Sequence, residues 1–571
     1  MIYKAINSWY VAVSRFKDRM VDLNQGISWT PFHVRDGAFG KWLENARDWN
    51  ISRDRFWGAP IPVWRSDDPA YPRIDVYGSI EELERDFGVK VDNLHRPMVD
   101  DLVRSNPDDP TGKSMMRRVS DVLDCWFESG SMPFAQMHYP FESKQRFDQN
   151  FPGDFIVEYV AQTRGWFYTM MVLSTALFDR APFRNCVCHG VVLDEDNQKL
   201  SKRLKNYPDL AEVFQLYGAD ALRWYMMSSP LMAGGDLAMS KDGKDIGKAT
   251  RPVILRFWNA YVFFTLYANI DGVTAQVSTA SADVLDRYIL AKTRRMIEAI
   301  QARLDAFDIP GAYEQANPFI EALNNWYIRN RRSRFWSSNN AADKQAAYDT
   351  LFTCLTMTCR ALAPLMPLIA DKIYTSLTGE TSVHLVDWPD ATGLPEAPDL
   401  VRQMDLAREA CSAVLTVREE TRRRVRLPLG KLIVAHPDSA ILRDYLAIIA
   451  EEVNVKTVEL TTDVAAHGSR ELKVDPSLGK VHGQTMKAVF AAQRSGDWRM
   501  RADGRVEIGE ILLEPGQFSM CIKTQEDVAA QPFDHGRGVV VLDIAVTEEL
   551  QAEGWARDVV RLITARGRAS I

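Results

Sequence analysis

The sequence predicts a multidomain protein that is α/β in one part and α-helical in the next, with a small α+β region after that. Three observations carry this reading. Strand-like and helical patterns alternate between about residues 121 and 227, as they do in an open parallel sheet. After about residue 249, apolar residues recur at spacings of three, four and seven, which makes the buried stripe of packed helices. Past Pro428, short strand-like and helical segments alternate again. A chain of 571 residues is too long for one core and divides into about three or four domains.

Taken in order, residues 1–30 read as strand and short helix, with Trp9, Tyr10 and Val11 apolar. Next come Trp42, Trp49, Phe56 and Trp57, interleaved with Arg47, Arg53 and Arg55. Gly58-Ala59-Pro60-Ile61-Pro62 must be extended or turned, because proline breaks helices and biases its predecessor towards β. Residues 74–120 are charged and read as loop-rich, with one helix over 80–87. Phe155-Ile156-Val157 is a short strand, 163–177 a helix, and 187–193 a near-continuous apolar strand of the kind buried in parallel sheets. Helices follow over 210–216 and 219–227. Ser281 is placed to cap a helix whose stripe is Leu285, Ile289, Met296, Ile300, Leu304 and Phe307. Further helices read over 311–335 and 341–377, the last split or kinked by Pro364 and Pro367. Strands then read over 430–435, 455–460, 509–513 and 540–546, and a final helix over 549–565.

Hydrophobic residues make up 46% and charged residues 25%, the balance of a globular chain. No apolar run reaches the roughly 20 residues that span a bilayer, so no membrane partner is expected. The net charge of -7 does not exclude RNA, because binding follows local basic patches rather than the total. The seven cysteines are scattered and form no Cys-x-x-Cys pair, which argues for reduced thiols and a cytoplasmic protein. Cys186 and Cys188 share one strand face but lack partners for a zinc site, so no bound metal is expected.

The most telling stretch runs from Asn185 to Tyr225, NCVCHGVVLDEDNQKLSKRLKNYPDLAEVFQLYGADALRWY. An apolar strand enters a loop, Lys199-Leu200-Ser201-Lys202-Arg203, that offers two ammonium groups and a hydroxyl to a polyphosphate. Ligands of open α/β sheets bind beyond the carboxyl ends of the strands, where this loop is delivered. Activation of a carboxylate by ATP builds negative charge on departing pyrophosphate, and mobile ammonium groups there lower the barrier. A short basic loop alone is weak evidence, since most are merely solvated. The flanks Asn206-Tyr207-Pro208-Asp209 and Tyr217-Gly218-Ala219-Asp220-Ala221-Leu222-Arg223 make it specific. Together these segments resemble the KMSKS loop and its surroundings in class I aminoacyl-tRNA synthetases, most closely the isoleucyl enzymes. Leu200 stands where methionine is usual and Arg203 where serine is common.

The resemblance implies a Rossmann-like catalytic domain in which Lys199, Ser201 and Lys202 act in catalysis. In the segment from Asp154 to Phe167, Glu158 would bind the amino group of the amino acid or its adenylate. Gln162 would line the nucleotide pocket with Lys202. Ala161 stands where many relatives carry aspartate, and Glu158 can besides cap the helix that follows, the lesser of its two readings. In the segment from Asp121 to Pro133, Trp126 and Phe127 would wall the amino-acid pocket or simply pack the core. In the helical region the resemblance implies an anticodon-binding domain. There Arg329, Arg331, Arg332 and Trp336 suit tRNA, phosphates by charge and bases by stacking, although a solvated basic face has the same pattern. Arg418, Arg422, Arg423, Arg424 and Arg426 make a second basic cluster.

The implied function is ligation of isoleucine to tRNA-Ile with ATP, as its Mg2+ complex, as co-substrate. Family members also edit valine, since one methylene gives too little discrimination, a limit for which the isoleucyl enzymes are the standard example. A His-x-Gly-His motif is absent, so the chain reads as a carboxy-terminal portion, inactive alone and completed by an upstream fragment. The expected domains are the tail of an editing insertion (1–30), a connecting segment (31–120) and the second half of the catalytic domain (121–249). A helical anticodon-binding domain (250–429) and an α+β domain (430–571) follow. Two alternatives stay open: a tRNA-binding module without catalysis, and the valyl or leucyl branch.

Overall fold

The computed structural model describes residues 8–337, 341–475, 478, 486–501, 503–509, 511–524, 528–533 and 536–569. The expected features at residues 1–7 and at Glu510 lie outside the described residues. The chain divides into two compact units. One comprises Met1–Leu255, Ala299–Asn317 and Leu362–Asp371; the other comprises Arg256–Glu298, Pro318–Ala361 and Lys372–Ile571.

The first unit is built on a parallel sheet in the order Gly153–Tyr159, Phe183–His189, Ser28–Thr30. Helix Trp166–Phe178 supplies the apolar side chains beneath it. Phe167, Met171, Phe183 and Cys186 share one core with Val13, Met20, Trp29, Phe39 and Leu43. The expected boundary at residue 30 is thus not a division of the fold, since Trp29 and its strand complete the sheet. The strand expected over 187–193 is two strands, Phe183–His189 and Val192–Asp194, separated at Gly190. A Cβ on Gly190 would lie 1.9 Å from Gly235 O, so only glycine permits the chain to leave the sheet there.

The charged stretch read as loop between 74 and 120 is instead part of a four-stranded antiparallel sheet. Its order is Ile74–Val76, Val63–Ser66, Met115–Arg118, Arg104–Ser105, with helix Ile80–Phe87 alongside. Trp64, Tyr77, Leu83, Val99 and Met116 form its core. Arg104 bonds Asp75 at 2.6 Å, and Arg73 pairs with both Asp75 and Asp108, so charged residues here stitch strands rather than face solvent alone.

Most helices fall where the sequence places them, but Arg256–Asp271 and Pro398–Glu420 were not delimited there, and a cap and one long helix differ. Pro364 and Pro367 do split the long segment, into Ala341–Leu362 and Pro367–Thr378. Helix Val284–Asp305 is capped by Asp283 rather than Ser281: Asp283 Oδ1 accepts from Leu285 N and Asp286 N, while Ser281 Oγ donates to Asp286. The segment expected as one helix over 311–335 is Ile309–Glu321 and Arg329–Trp336, joined by a π-helical stretch, Ala322–Ile328. In the second unit a mixed sheet follows, ordered Val455–Thr461, Leu429–Ala435, Val539–Leu542, Ala530–Pro532. The last helix is Glu548–Ala569.

All seven cysteines are free thiols; Cys186, Cys188, Cys354, Cys359 and Cys411 are buried, and Cys125 is exposed. Burial pushes the Cys188 thiol up to about 12. Alkylation of native protein near pH 8 is therefore expected to mark Cys125 first and to reach the buried five only after unfolding. Peptide mass spectrometry checks this; labelling of Cys188 at the rate of Cys125 would contradict the burial. Among the described residues no group of three or more His, Cys, Asp or Glu side chains could hold a metal ion, and no helix is long and apolar enough to cross a membrane.

Candidate functional site

The carboxyl edge of the parallel sheet is where Glu158, Tyr159 and His189 stand, Glu158 opposite Cys188 and Tyr159 opposite His189. Glu158 is half-buried, and its Oε2 accepts from Tyr159 N at 3.1 Å. It does not cap the next helix. That role falls to Gln162, whose Oε1 accepts from Trp166 N at 2.9 Å. The Nε2 of Gln162 has no protein partner among the described residues and can donate to a ligand. His189 donates from Nδ1 to Gly190 O at 2.8 Å, which holds the ring rather than freeing it as a base.

Trp126 reaches the same edge from another segment. Asp124, 3% exposed, caps helix Cys125–Gly130 through Trp126 N, and its other oxygen is held by Trp49 Nε1 and Arg53. Arg53 and Trp49 therefore brace the joint. Trp166 Nε1 donates to Ser129 O, tying this helix to Trp166–Phe178. Trp126 and Gln162 meet across Gly165, where a Cβ would lie 2.5 Å from Gln162 Oε1 and 3.2 Å from Trp126 Cη2. Gly165→Ala is expected to displace Gln162 from the helix end and cost about 1 kcal/mol, the worth of one cap. A lowered thermal midpoint with a red-shifted tryptophan emission checks it; an unshifted midpoint would contradict the packing.

The lysine loop begins where Val192–Asp194 ends, that strand pairing in parallel with Leu237–Met239. Asp194 and Asn206 clip it. Asp194 Oδ1 accepts from Asp196 N and Gln198 N at 3.0 and 2.7 Å, and Oδ2 accepts from Asn206 Nδ2 at 2.7 Å. Asn206 also accepts from Ser201 N at 2.9 Å and donates to Lys199 O at 3.2 Å. The hydrogen bond from Asn206, followed by that from Gln198 N–H, holds the Asp194 carboxyl below the usual carboxylate range. Ser201 Oγ accepts from Arg203 N, so this hydroxyl also orders the turn. Lys199 and Lys202 are exposed, and among the described residues neither ammonium group makes an ion pair. The backbone of the loop is thus fixed while its charges are left to a ligand. Neither lysine bonds Glu158, Gln162 or Trp126.

The flank from Tyr217 to Arg223 has a structural role. Asp220 accepts from Leu368 N and Ile369 N, and Arg223 donates to Pro364 O.

In the second unit the basic helix Arg329–Trp336 is largely neutralised. Arg331 forks onto Asp283 at 3.0 and 2.9 Å, Arg334 bonds Asp286 and Asp343, and Arg329 meets Glu452 at 3.0 Å. Arg332 is exposed and lies over the rings of Phe263 and Trp336, 5.7 and 5.5 Å from their centroids, with Trp336 48% exposed. Of the four residues expected to meet tRNA, Arg332 and Trp336 form one outward pair, while Arg329 and Arg331 are engaged within the protein.

A family model described as tRNA synthetases class I (I, L, M and V) matches residues 1–240, and one described as the anticodon-binding domain of tRNA ligase matches residues 286–433. The chain is 54% identical over 564 residues to the isoleucine–tRNA ligase of Nocardia farcinica, covering 98% of this chain and 53% of that protein. Over nearly its whole length the chain is similar to the isoleucyl branch of the class I aminoacyl-tRNA synthetases. The isoleucine–tRNA ligases of Mycobacterium tuberculosis and Rickettsia bellii are 52% and 50% identical, over 98% and 99% of this chain and 53% of each relative. The chain thus spans about half the length of the curated synthetases it matches. Within this chain, the clip residues Asp194 and Asn206 and the close packing at Gly165 were not foreseen from sequence. The Asp-Glu-Asp-Asn turn after the strand was the available signal, since Asp and Asn at such places bond backbone N–H groups two to four residues on.

Proposed function

We propose that this chain provides the pyrophosphate-stabilising loop, the adenylate edge and the tRNA-binding helices of an isoleucine–tRNA ligase, working in the cytoplasm. The observation that carries the proposal is the lysine loop, whose backbone is clipped by Asn206 while neither ammonium group has an ionic partner among the described residues. The isoleucine carboxylate attacks the α-phosphate of ATP in line, and the bond to pyrophosphate breaks. ATP arrives as its Mg2+ complex, which supplies part of the charge neutralisation. Lys199 and Lys202 meet the charge that grows on the departing diphosphate. Glu158 holds the substrate ammonium, Gln162 donates from Nε2 to the nucleotide, and Trp126 walls the side-chain pocket. The acyl group then passes to the terminal ribose of tRNA-Ile, which Arg332 and Trp336 help to hold.

The test is isoleucine-dependent pyrophosphate exchange by the chain joined to the amino-terminal half of a curated relative. Changing Lys199 and Lys202 together to alanine is expected to lower exchange by roughly 100- to 1000-fold, as losing preorganised charge stabilisation does elsewhere. Unchanged exchange would overturn the assignment.

A further inference from the structure

The second basic cluster differs from the first in having few carboxylates to match it. Arg418, in the last turn of helix Pro398–Glu420, is 1% exposed. Its guanidinium donates to three carbonyls, those of Arg424, Leu427 and Asn454. Burial draws its pKa down to about 10. Arg424 pairs with Asp558 at 2.9 Å, with Arg426 more distant at 3.8 Å. Arg422 and Arg423 have no ionic partner among the described residues. Arg418, Arg422, Arg423 and Arg424 line a concavity of 480 Å³, with Leu415 and Val425 as apolar wall and Glu419 at its side. Two donors in this cluster, Arg418 Nε and Arg423 Nε, are buried and have no acceptor. Buried N–H groups without an acceptor are rare in native proteins, and each calls for a missing one.

We propose that this concavity binds a phosphate of the tRNA backbone, with Arg422 and Arg423 grasping it above a fixed floor made by Arg418. This rests on the tRNA-binding reading given above. The planar fork of guanidinium matches phosphate oxygens, and Arg422 and Arg423 bring that fork to the concavity with no ionic partner among the described residues. Arg418 is pinned by its three carbonyls and cannot swing out, so it contributes a stationary charge. The exposed Arg422 and Arg424 leave the concavity open enough for a polymer to lie across it. The cluster also falls inside the region matched by the anticodon-binding family model. Glu419 is the one carboxylate lining the concavity, and it is outnumbered by the arginines.

The experiment is titration of the whole chain with a tRNA-Ile transcript over a series of salt concentrations. Arg422→Ala with Arg423→Ala is expected to weaken binding about tenfold and to flatten the salt slope by about 1–2, since each lost phosphate contact removes nearly one released counterion. Arg422→Ala alone, at an exposed position, is expected to flatten the slope by about 1 without disturbing the fold. The double lysine variant should keep the slope. An unchanged slope in both alanine variants, with tRNA binding intact, overturns this inference alone. Wild-type chain that retains no tRNA overturns it together with the reading beneath it. Inorganic phosphate that protects the wild type thermally but not the double variant, with tRNA affinity equal in the two, overturns the backbone assignment in favour of a small-phosphate site.

Discussion

Arg334→Ala is expected to destabilise the second unit by about 3–5 kcal/mol, the usual cost of breaking a buried ion pair from one side. Arg334 is 10% exposed and Asp286 is 0% exposed; they meet at 2.8 Å. Asp286 also accepts from Tyr327 Oη at 2.8 Å and from Ser281 Oγ at 2.5 Å. Those two hydrogen bonds remain in the variant, but the counter-charge does not, and a bare carboxylate stays buried among apolar helices. Asp286→Asn in the same background should recover part of the loss, because it removes that orphaned charge. Urea unfolding followed by helical circular dichroism checks both. A loss below about 1 kcal/mol for Arg334→Ala would mean that water reaches Asp286. Its place in the fold makes Arg334 the strut of the helix that carries Arg332.

Asn206→Ala is expected to speed tryptic cleavage after Lys199 or Lys202 by about tenfold to a hundredfold. The side chain makes three hydrogen bonds across the loop, to Asp194, Ser201 and Lys199. At roughly 0.5–0.9 kcal/mol net for each, their loss raises the open population by that factor. Timed digestion of the native chain measures it, and equal rates would show that the loop is ordered by something else. The clip has a pH dependence whose sign follows from Asp194. Its folded-state pKa lies below its unfolded value. The stabilisation is therefore present above the ordinary carboxylate range, near ~4, and is lost as pH falls through the lower folded value. Protection factors for amide exchange at Gln198 and Ser201 should stay high through neutral pH and fall only in acid.

The features legible in the sequence were those set by local chemistry. Helix Ile80–Phe87 was marked by Ser79 and Gly88 at its ends, and helices Leu210–Leu216 and Ala219–Met227 by Asp209 and Gly218. The lysine loop and the segment holding Glu158 and Gln162 were legible because their motifs are contiguous. What escaped were relations between distant residues. The antiparallel sheet around Val63–Ser66 is made of strands of two to four residues, too short to show alternation. Its charged side chains pair across strands, which composition alone reads as solvated loop. Ser281 looked like the cap of Val284–Asp305 because serine is a favoured cap, but Asp283 two residues later accepts the amide hydrogens. Likewise, a run of arginines announces charge without naming its counter-ions. Asp283, Asp286, Asp343 and Glu452 decide which guanidinium groups of this helix are engaged within the protein.

The pairing of Ser28–Thr30 with Phe183–His189 bears on how the molecule comes to be folded. The two strands are separated by roughly 150 residues, a loop whose closure entropy grows only slowly with length but whose contacts form late. During synthesis Trp29 can meet Asn24 and Phe39 early, but its packing against Phe167 and Phe183 must await their delivery. The antiparallel sheet encoded in between is held by nearer contacts and is expected to be in place first. Completion of the parallel sheet in the first unit would then be limited by the return of strand Ser28–Thr30 to Phe183–His189.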